Sequence, residues 1–369
     1  MPDICNMNKN KYRKLFLETV IKGNASKEET REKMSPIWEA TESMLPKKVY
    51  RFRTCSSKEF DALLESKIYF GRPENFNDPY DCMTYIDALA IEKIHIDSLN
   101  IEDVIKYFHN IRNSTHQIEK SSPNILPAMK IGYEKIKSLD DNAFTLFIEQ
   151  VQNASQQLDN IKARLKEELM DVKNSIIKYA QIKPSVACFS ESIKSIPMWG
   201  HYAQNHRGFA IEYNSADLYK FISNCTYCKG PCEYWHATNF LPILYGVKRF
   251  DATKYAEEFF QWQITYLLTG NENDFVIPDK LFYEKLYTQK HIDWKYEKEW
   301  RLIYRCKKEQ PNGNSVTIEP TAIYLGSKIS KADENIIQKL IESKPAIRLY
   351  KMRVDENDKK YRLKSERIK

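Results

Sequence analysis

The chain has 369 residues, 42% hydrophobic and 29% charged, which excludes a disordered polypeptide and allows a sizeable core. Its formal net charge of +7 leaves 50 acidic residues among 57 basic ones, so a phosphate-bearing partner is permitted without being demanded. Only 10 glycines occur, and neither a GxGxxG nor a Walker A pattern is present, which excludes the common glycine-rich phosphate loops.

The opening MPDICNMNKNKYRK has no apolar core of a signal peptide, and no stretch reaches the roughly 18 apolar residues of a membrane span. No membrane association and a cytoplasmic location are therefore expected, with reduced cysteines. Residues 1–47 read as a helical N-terminal segment interrupted at Pro36. VYRFRTC (49–55) reads as a strand, followed by a helix that Ser56 and Glu59 open in capping-box spacing. KIYFG (67–71) is a second strand, and the Asn-, Asp- and Pro-rich RPENFNDPYD (72–81) a tight loop. From about 88 to 180 the pattern is helical. Phe144, Ile148, Val151, Leu158, Ile161, Leu165, Leu169, Val172, Ile176 and Tyr179 form one apolar stripe, predicting a helix of at most 38 residues. Such a helix either packs on the body of the protein or pairs with a second copy, giving self-association.

PSVACFSES (184–192) reads as a strand, PMWGHYAQNHRG (197–208) as a short helix from Pro197 to Gly208, and FAIEY (209–213) as a strand. LPILYG (241–246) is strand-like, and 252–269 and 279–290 are helical. Strands return at 299–305, 315–320 and 322–326, then a helix at 331–343 and strands at 346–352 and 360–364. These elements predict an α+β protein. Residues 48–369 form a single domain whose central β core is interrupted by helical insertions at about 88–180 and 247–290.

Three segments can carry chemistry. In YEKEWR (296–301), read as a strand, Glu297 and Glu299 share one face, and like charges there are either solvated, paired or used. In VYRFR, Arg51 and Arg53 share one face and Tyr50 and Phe52 the other; a permanently charged guanidinium on a sheet binds either a carboxylate of the protein or a ligand phosphate. In CFSES, Ser190 either terminates a strand or faces a ligand, and no Gly-x-Ser-x-Gly elbow surrounds it. Elsewhere, Asp78 and Asp81 either bind substrate or close the Asn77-Asp78-Pro79 turn. His201, beside Trp199 and Tyr202, is either a pocket wall, a proton shuttle or a satisfied buried histidine. Cys225, Cys228, Cys232 and His236 are spaced to close a tetrahedral structural zinc site, or are reduced thiols beside a histidine.

Arg51, Ser190 and the Glu297-x-Glu299 pair, on an early, a middle and a late strand, together resemble the arginine–serine–glutamate constellation of ADP-ribosyltransferases. The resemblance implies a core of split antiparallel sheets that binds NAD as a substrate. Arg51 would hold the phosphates or the adjacent ribose, Ser190 would order the nicotinamide end, Glu299 would hydrogen-bond the nicotinamide ribose and Glu297 would place the acceptor. Beside these, Tyr50, Arg53, Phe189, Trp199, His201 and Tyr202 are expected to complete the NAD site, with Asn77, Asp78 and Asp81 toward the substrate, although NDPYD and MWGHYA have no counterpart in that family. The serine motif here is Phe-Ser-Glu-Ser rather than Ser-Thr-Ser. A second set, YRFR, NDPYD, CFSE, MWGHYAQNHRGFAIEY (198–213) and WKYEKEWRLIY (294–304), resembles the bacterial family called domain of unknown function 2971 over roughly 48–352, excluding the insertions at 88–180 and 247–290. That likeness implies a toxin or phage-defence context. The expected activity is transfer of ADP-ribose from NAD to a protein or nucleic-acid acceptor. The alternatives are a nucleotide- or phage-component-sensing module, or a divalent-metal nuclease built on Asp78, Asp81, Glu297 and Glu299.

Overall fold

The computed structural model describes residues 8–115, 127–153, 155–182, 184–223, 240–269, 276–304 and 315–368. The cysteine cluster Cys225, Cys228, Cys232 and His236 lies outside the described residues. The strands are β1 (Lys48–Arg53), β2 (Lys67–Tyr69), β3 (Ser185–Ser190), β4 (Phe209–Asn214), β5 (Phe240–Pro242), β6 (Leu244–Gly246), β7 (Gln289–His291), β8 (Glu299–Tyr304), β9 (Ser315–Thr317), β10 (Ala322–Leu325), β11 (Arg348–Val354) and β12 (Leu363–Arg367). Eight of them form one mixed sheet in the order β12-β11-β10-β4-β1-β3-β8-β5, antiparallel except for the parallel β10–β11 pair. Two small ladders, β2–β9 and β6–β7, flank it.

The sheet is not evenly joined. β1 pairs with β4 from Lys48↔Asn214 to Arg53↔Phe209, and β3 pairs with β8 from Ser185↔Tyr304 to Ser190↔Glu299. Between β1 and β3 only Tyr50 and Ser190 are in register, so two ladders meet at one point and part beyond it. Backbone groups released there still need partners. Gly71 supplies them, exchanging N–H···O bonds of 2.8 Å with Val186 in both directions.

The sheet is covered on both faces. Val49, Phe189, Phe209, Ile211, Trp300 and Leu325 belong to one apolar layer, which takes in Leu63 of the helix Ser57–Leu64 and Ile337 of the helix Lys331–Leu340. Tyr50, Phe52, Ala210, Tyr324 and Met352 pack with Met198 and Trp199 of the helix Ile196–Tyr202 on the other. A third core joins the N-terminal helices Lys9–Glu18 and Lys27–Met44 to the helices Ser155–Ile182 and Thr253–Thr269. A fourth joins the helices Ile101–Asn113, Pro127–Ser138 and Asp141–Asn153 through Ile111, Tyr133 and Phe144.

The long apolar stripe runs along the described helical stretches Asp141–Asn153 and Ser155–Ile182, while several other sequence expectations are corrected. Phe144, Ile148 and Val151 are buried on the first, while Leu169, Val172 and Ile176 enter the third core, so the stripe packs on the protein itself. Pro36 lies inside the helix Lys27–Met44 rather than interrupting it. Ser56 makes no side-chain cap, and Glu59 pairs instead with the Arg53 guanidinium at 3.1 Å. The 197–208 helix stops at Tyr202, and Gln204, Asn205 and His206 all take positive φ before Gly208. Residues 296–301 are not one strand: Tyr296 and Glu297 end a 3-10 turn, Ile292–Glu297, and Lys298 is left-handed at φ 46° before β8 begins. No helix among the described residues is long and apolar enough to cross a membrane.

Candidate functional site

A cleft of about 550 Å³ lies where β1 and β3 part. Tyr50–Arg53 and Val186, Cys188, Phe189 and Ser190 line it from the two strands; Gly71, Asn75, Phe76, Asn77 and Asp81 line it from the loop after β2. Met198, His201 and Tyr202 of the Ile196–Tyr202 helix, with Lys290, Glu297 and Glu299, complete the lining. Side chains alternate along a strand, so the in-register row Tyr50–Ser190–Glu299 projects to one face and Arg51 to the other. Arg51 nevertheless lines the same cleft, because the strands separate beside it.

One wall is a buried charge network. Arg301, fully buried, donates from both terminal nitrogens to Asp81 at 2.7 and 2.5 Å and from Nε to Glu299 Oε1 at 2.8 Å. It also donates to the Tyr287 carbonyl at 2.9 Å. Lys290 stands among three carboxylates, at 2.7 Å from Glu297, 3.2 Å from Glu299 and 3.5 Å from Asp81. The Tyr202 hydroxyl donates to Glu297 Oε1 at 2.6 Å and accepts from Asn77 Nδ2 at 3.1 Å. Three acids therefore face two cations, and with every group ionised the wall carries one net negative charge.

The two glutamates are pushed in opposite directions. Burial would raise the Glu299 carboxyl, but Arg301 and Lys290 outweigh it and hold a carboxylate well below the usual range. Glu297 is raised, by burial and then by the charge of Glu299, against the pull of Lys290 and Tyr202. Burial also opposes the charge on Lys290, but Glu299 and the other carboxylates keep it protonated. A fixed anion thus sits beside a carboxyl of raised proton affinity, which is how acid and base roles are divided between paired carboxylates.

The opposite wall is cationic. Arg51 is 8% exposed, donates to the Tyr69 carbonyl at 3.0 Å, and lies 5.4 Å from the Phe189 ring centre. Its Nε has no hydrogen-bond partner among the described residues. Burial, reinforced by the neighbouring charge of Arg53, lowers its pKa to about 9. Arg53 shares its charge with Glu59. Ser190 links the walls: its hydroxyl donates to the Glu297 carbonyl at 2.6 Å and accepts the Ser192 N–H at 3.2 Å, fixing the turn that carries Glu297.

Of the residues singled out from the sequence, Tyr50, Arg51, Arg53, Asn77, Asp81, Phe189, Ser190, His201, Tyr202, Glu297 and Glu299 line this cleft. Trp199 and Asp78 do not. Trp199 is fully buried, edge-on to Phe52 with its Nε1 donating to Ile193 at 2.7 Å, and Asp78 closes a turn by accepting the Tyr80 N–H at 2.9 Å. Lys290 and Arg301 escaped sequence reading. Arg301 was within reach of it, because residues two apart in a strand share a face and Arg301 follows Glu299 by two. Lys290 was not, because residues 279–290 read as helix whereas Gln289–His291 is a strand paired to β6.

These elements define a mixed helix-and-sheet protein with a charge-divided cleft at a parting in its sheet. The family described as "Protein of unknown function (DUF2971)" matches residues 198–302, and the chain is similar to that family over this span. The matched stretch carries Tyr202, Lys290, Glu297, Glu299 and Arg301. No curated protein and no solved structure matches the chain.

Proposed function

We propose that the cleft binds NAD, breaks the bond between nicotinamide and ribose, and passes ADP-ribose to a protein or nucleic-acid acceptor. The observation that carries this reading is the opposition of charge within one cleft, with Arg51 on one wall and the Glu297–Glu299 pair on the other. NAD has the matching polarity. Its pyrophosphate is anionic, and its nicotinamide ribose becomes cationic as the glycosidic bond breaks.

On this reading the phosphates sit toward Arg51, whose unpartnered Nε and lowered pKa mark a cation that an anionic ligand would relieve. Phe189 and Phe76 offer aromatic surface between the walls. Nicotinamide leaves with the electron pair of the C–N bond, which neutralises its own ring charge and leaves an oxocarbenium-like ribose. Glu299, held ionised, stabilises that developing charge from a fixed position. Glu297, with its raised proton affinity, takes the proton of the attacking acceptor group.

One observation favours a second reading, a nucleotide-sensing module without turnover. Both oxygens of Glu297 are engaged, by Tyr202 and Lys290, and both of Glu299, by Arg301 and Lys290. The metal-nuclease alternative is not carried forward, since Lys290 and Arg301 already stand among Asp81, Glu297 and Glu299, while Asp78 is turned away into its loop.

Purified protein incubated with NAD, alone and with cell lysate or RNA, should release nicotinamide, and a folded Glu299→Gln variant should lose that release. Nucleotide binding that survives Glu299→Gln, with no release by the wild type, would establish the sensing module instead.

A further inference from the structure

We infer that the helical layer holds a second ligand site, separate from the cleft, that takes an apolar molecule carrying a protonated amine. A cavity of about 390 Å³ lies among the helices Ile101–Asn113, Pro127–Ser138 and Ser155–Ile182. That is the size of a small-molecule pocket. Its walls are mainly apolar, with Phe108, Ile136 and Leu165 among them.

Two features distinguish this cavity from loose packing. The first is Glu168, which lines it and is only 3% exposed. Arg164 approaches Glu168 Oε1 at 3.4 Å but is shared with Glu167 at 2.8 Å, and Oε2 has no hydrogen-bond partner among the described residues. A buried carboxylate oxygen without a donor is costly, and a ligand ammonium would satisfy it. Asp103 adds a second carboxylate to the lining, while the His95 ring is committed to Glu257 at 2.6 Å. Arg164 also lines the cavity, so with Asp103, Glu168 and Arg164 ionised the lining carries one net negative charge, which favours a cation.

The second feature is Gly132, in the middle of the Pro127–Ser138 helix. Glycine there weakens the helix relative to alanine. No steric demand explains it, since an added Cβ would meet nothing within 4 Å and φ is not in the left-handed region. Gly132 lines the cavity at an exposed position, so a larger side chain there would stand at the cavity's open edge.

The test uses the full chain and three probes of equal chain length, octylamine, octanol and octanoate, titrated calorimetrically. Octylamine should bind saturably and at least tenfold more tightly than octanoate. Glu168→Gln should weaken octylamine tenfold or more while leaving octanol unchanged, and Gly132→Leu, whose Cβ meets nothing within 4 Å, should weaken octylamine binding in a folded protein. No saturable octylamine binding, equal binding of the amine and the carboxylate, or octylamine binding unchanged by Glu168→Gln would overturn the inference.

Discussion

Replacing Arg301 with leucine should be among the most destabilising single changes in the protein. The side chain is fully buried and joins Asp81, Glu299 and the Tyr287 carbonyl, so its loss strands two carboxylates and an acceptor at once. Lys290 would then face Asp81, Glu297 and Glu299 alone, and the wall would move from one net negative charge to two. Removing one partner of a buried ion pair costs about 3–5 kcal/mol, and two stranded carboxylates place Arg301→Leu at the upper end. Arg301→Lys should recover little of this, because an ammonium cannot make the two-pronged contact to Asp81 and still reach Glu299. Urea unfolding at pH 7, followed by circular dichroism, measures the loss as a shift in midpoint. A shift worth less than about 1 kcal/mol would refute the reasoning and show that the network is solvated rather than buried.

Three further outcomes follow from the same geometry. Arg51→Met should change stability by about 1 kcal/mol or less, because the charge-assisted hydrogen bond it loses is offset by removing a buried cation, yet it should weaken nucleotide binding roughly tenfold or more; calorimetric titration checks the second. Ser190→Ala should cost about 1–3 kcal/mol in urea unfolding, since the buried Glu297 carbonyl loses its donor. Glu299 is held below its unfolded value of about 4.3, so its stabilisation is present at neutral pH and fades as pH falls through the unfolded value toward the lower folded one. Glu299→Gln should therefore lose less stability than the wild type between pH 7 and pH 3.5, and a parallel fall of the two midpoints would contradict that assignment.

Most of the sheet was legible in the sequence because its strands are short runs of alternating or continuous apolar residues bounded by turn residues, as in FAIEY and AIYLG. The convergence of Arg51, Ser190, Glu297 and Glu299 on one cleft was an expectation of the family resemblance and not of any local pattern. What stayed hidden depends on backbone geometry and long-range pairing. Lys298 adopts a left-handed conformation uncommon for a side-chain-bearing residue, so the stretch 296–301 looked like an unbroken strand. Lys290 gained its role only when β7 was placed beside β6, which brings it to carboxylates seven and nine positions onward. The parting of β1 from β3 is likewise matched by a bridge between Gly71 and Val186, residues far apart in the chain.

The central claim, that NAD occupies the cleft with its phosphates toward Arg51 and its scissile bond toward Glu299, is tested most directly by titrating folded wild-type, Arg51→Met and Glu299→Gln proteins with a non-cleavable carbocyclic NAD analogue. Saturable binding to the wild type that falls at least tenfold in Arg51→Met and persists in Glu299→Gln is the predicted result. No binding to the wild type, or binding indifferent to Arg51, would contradict it.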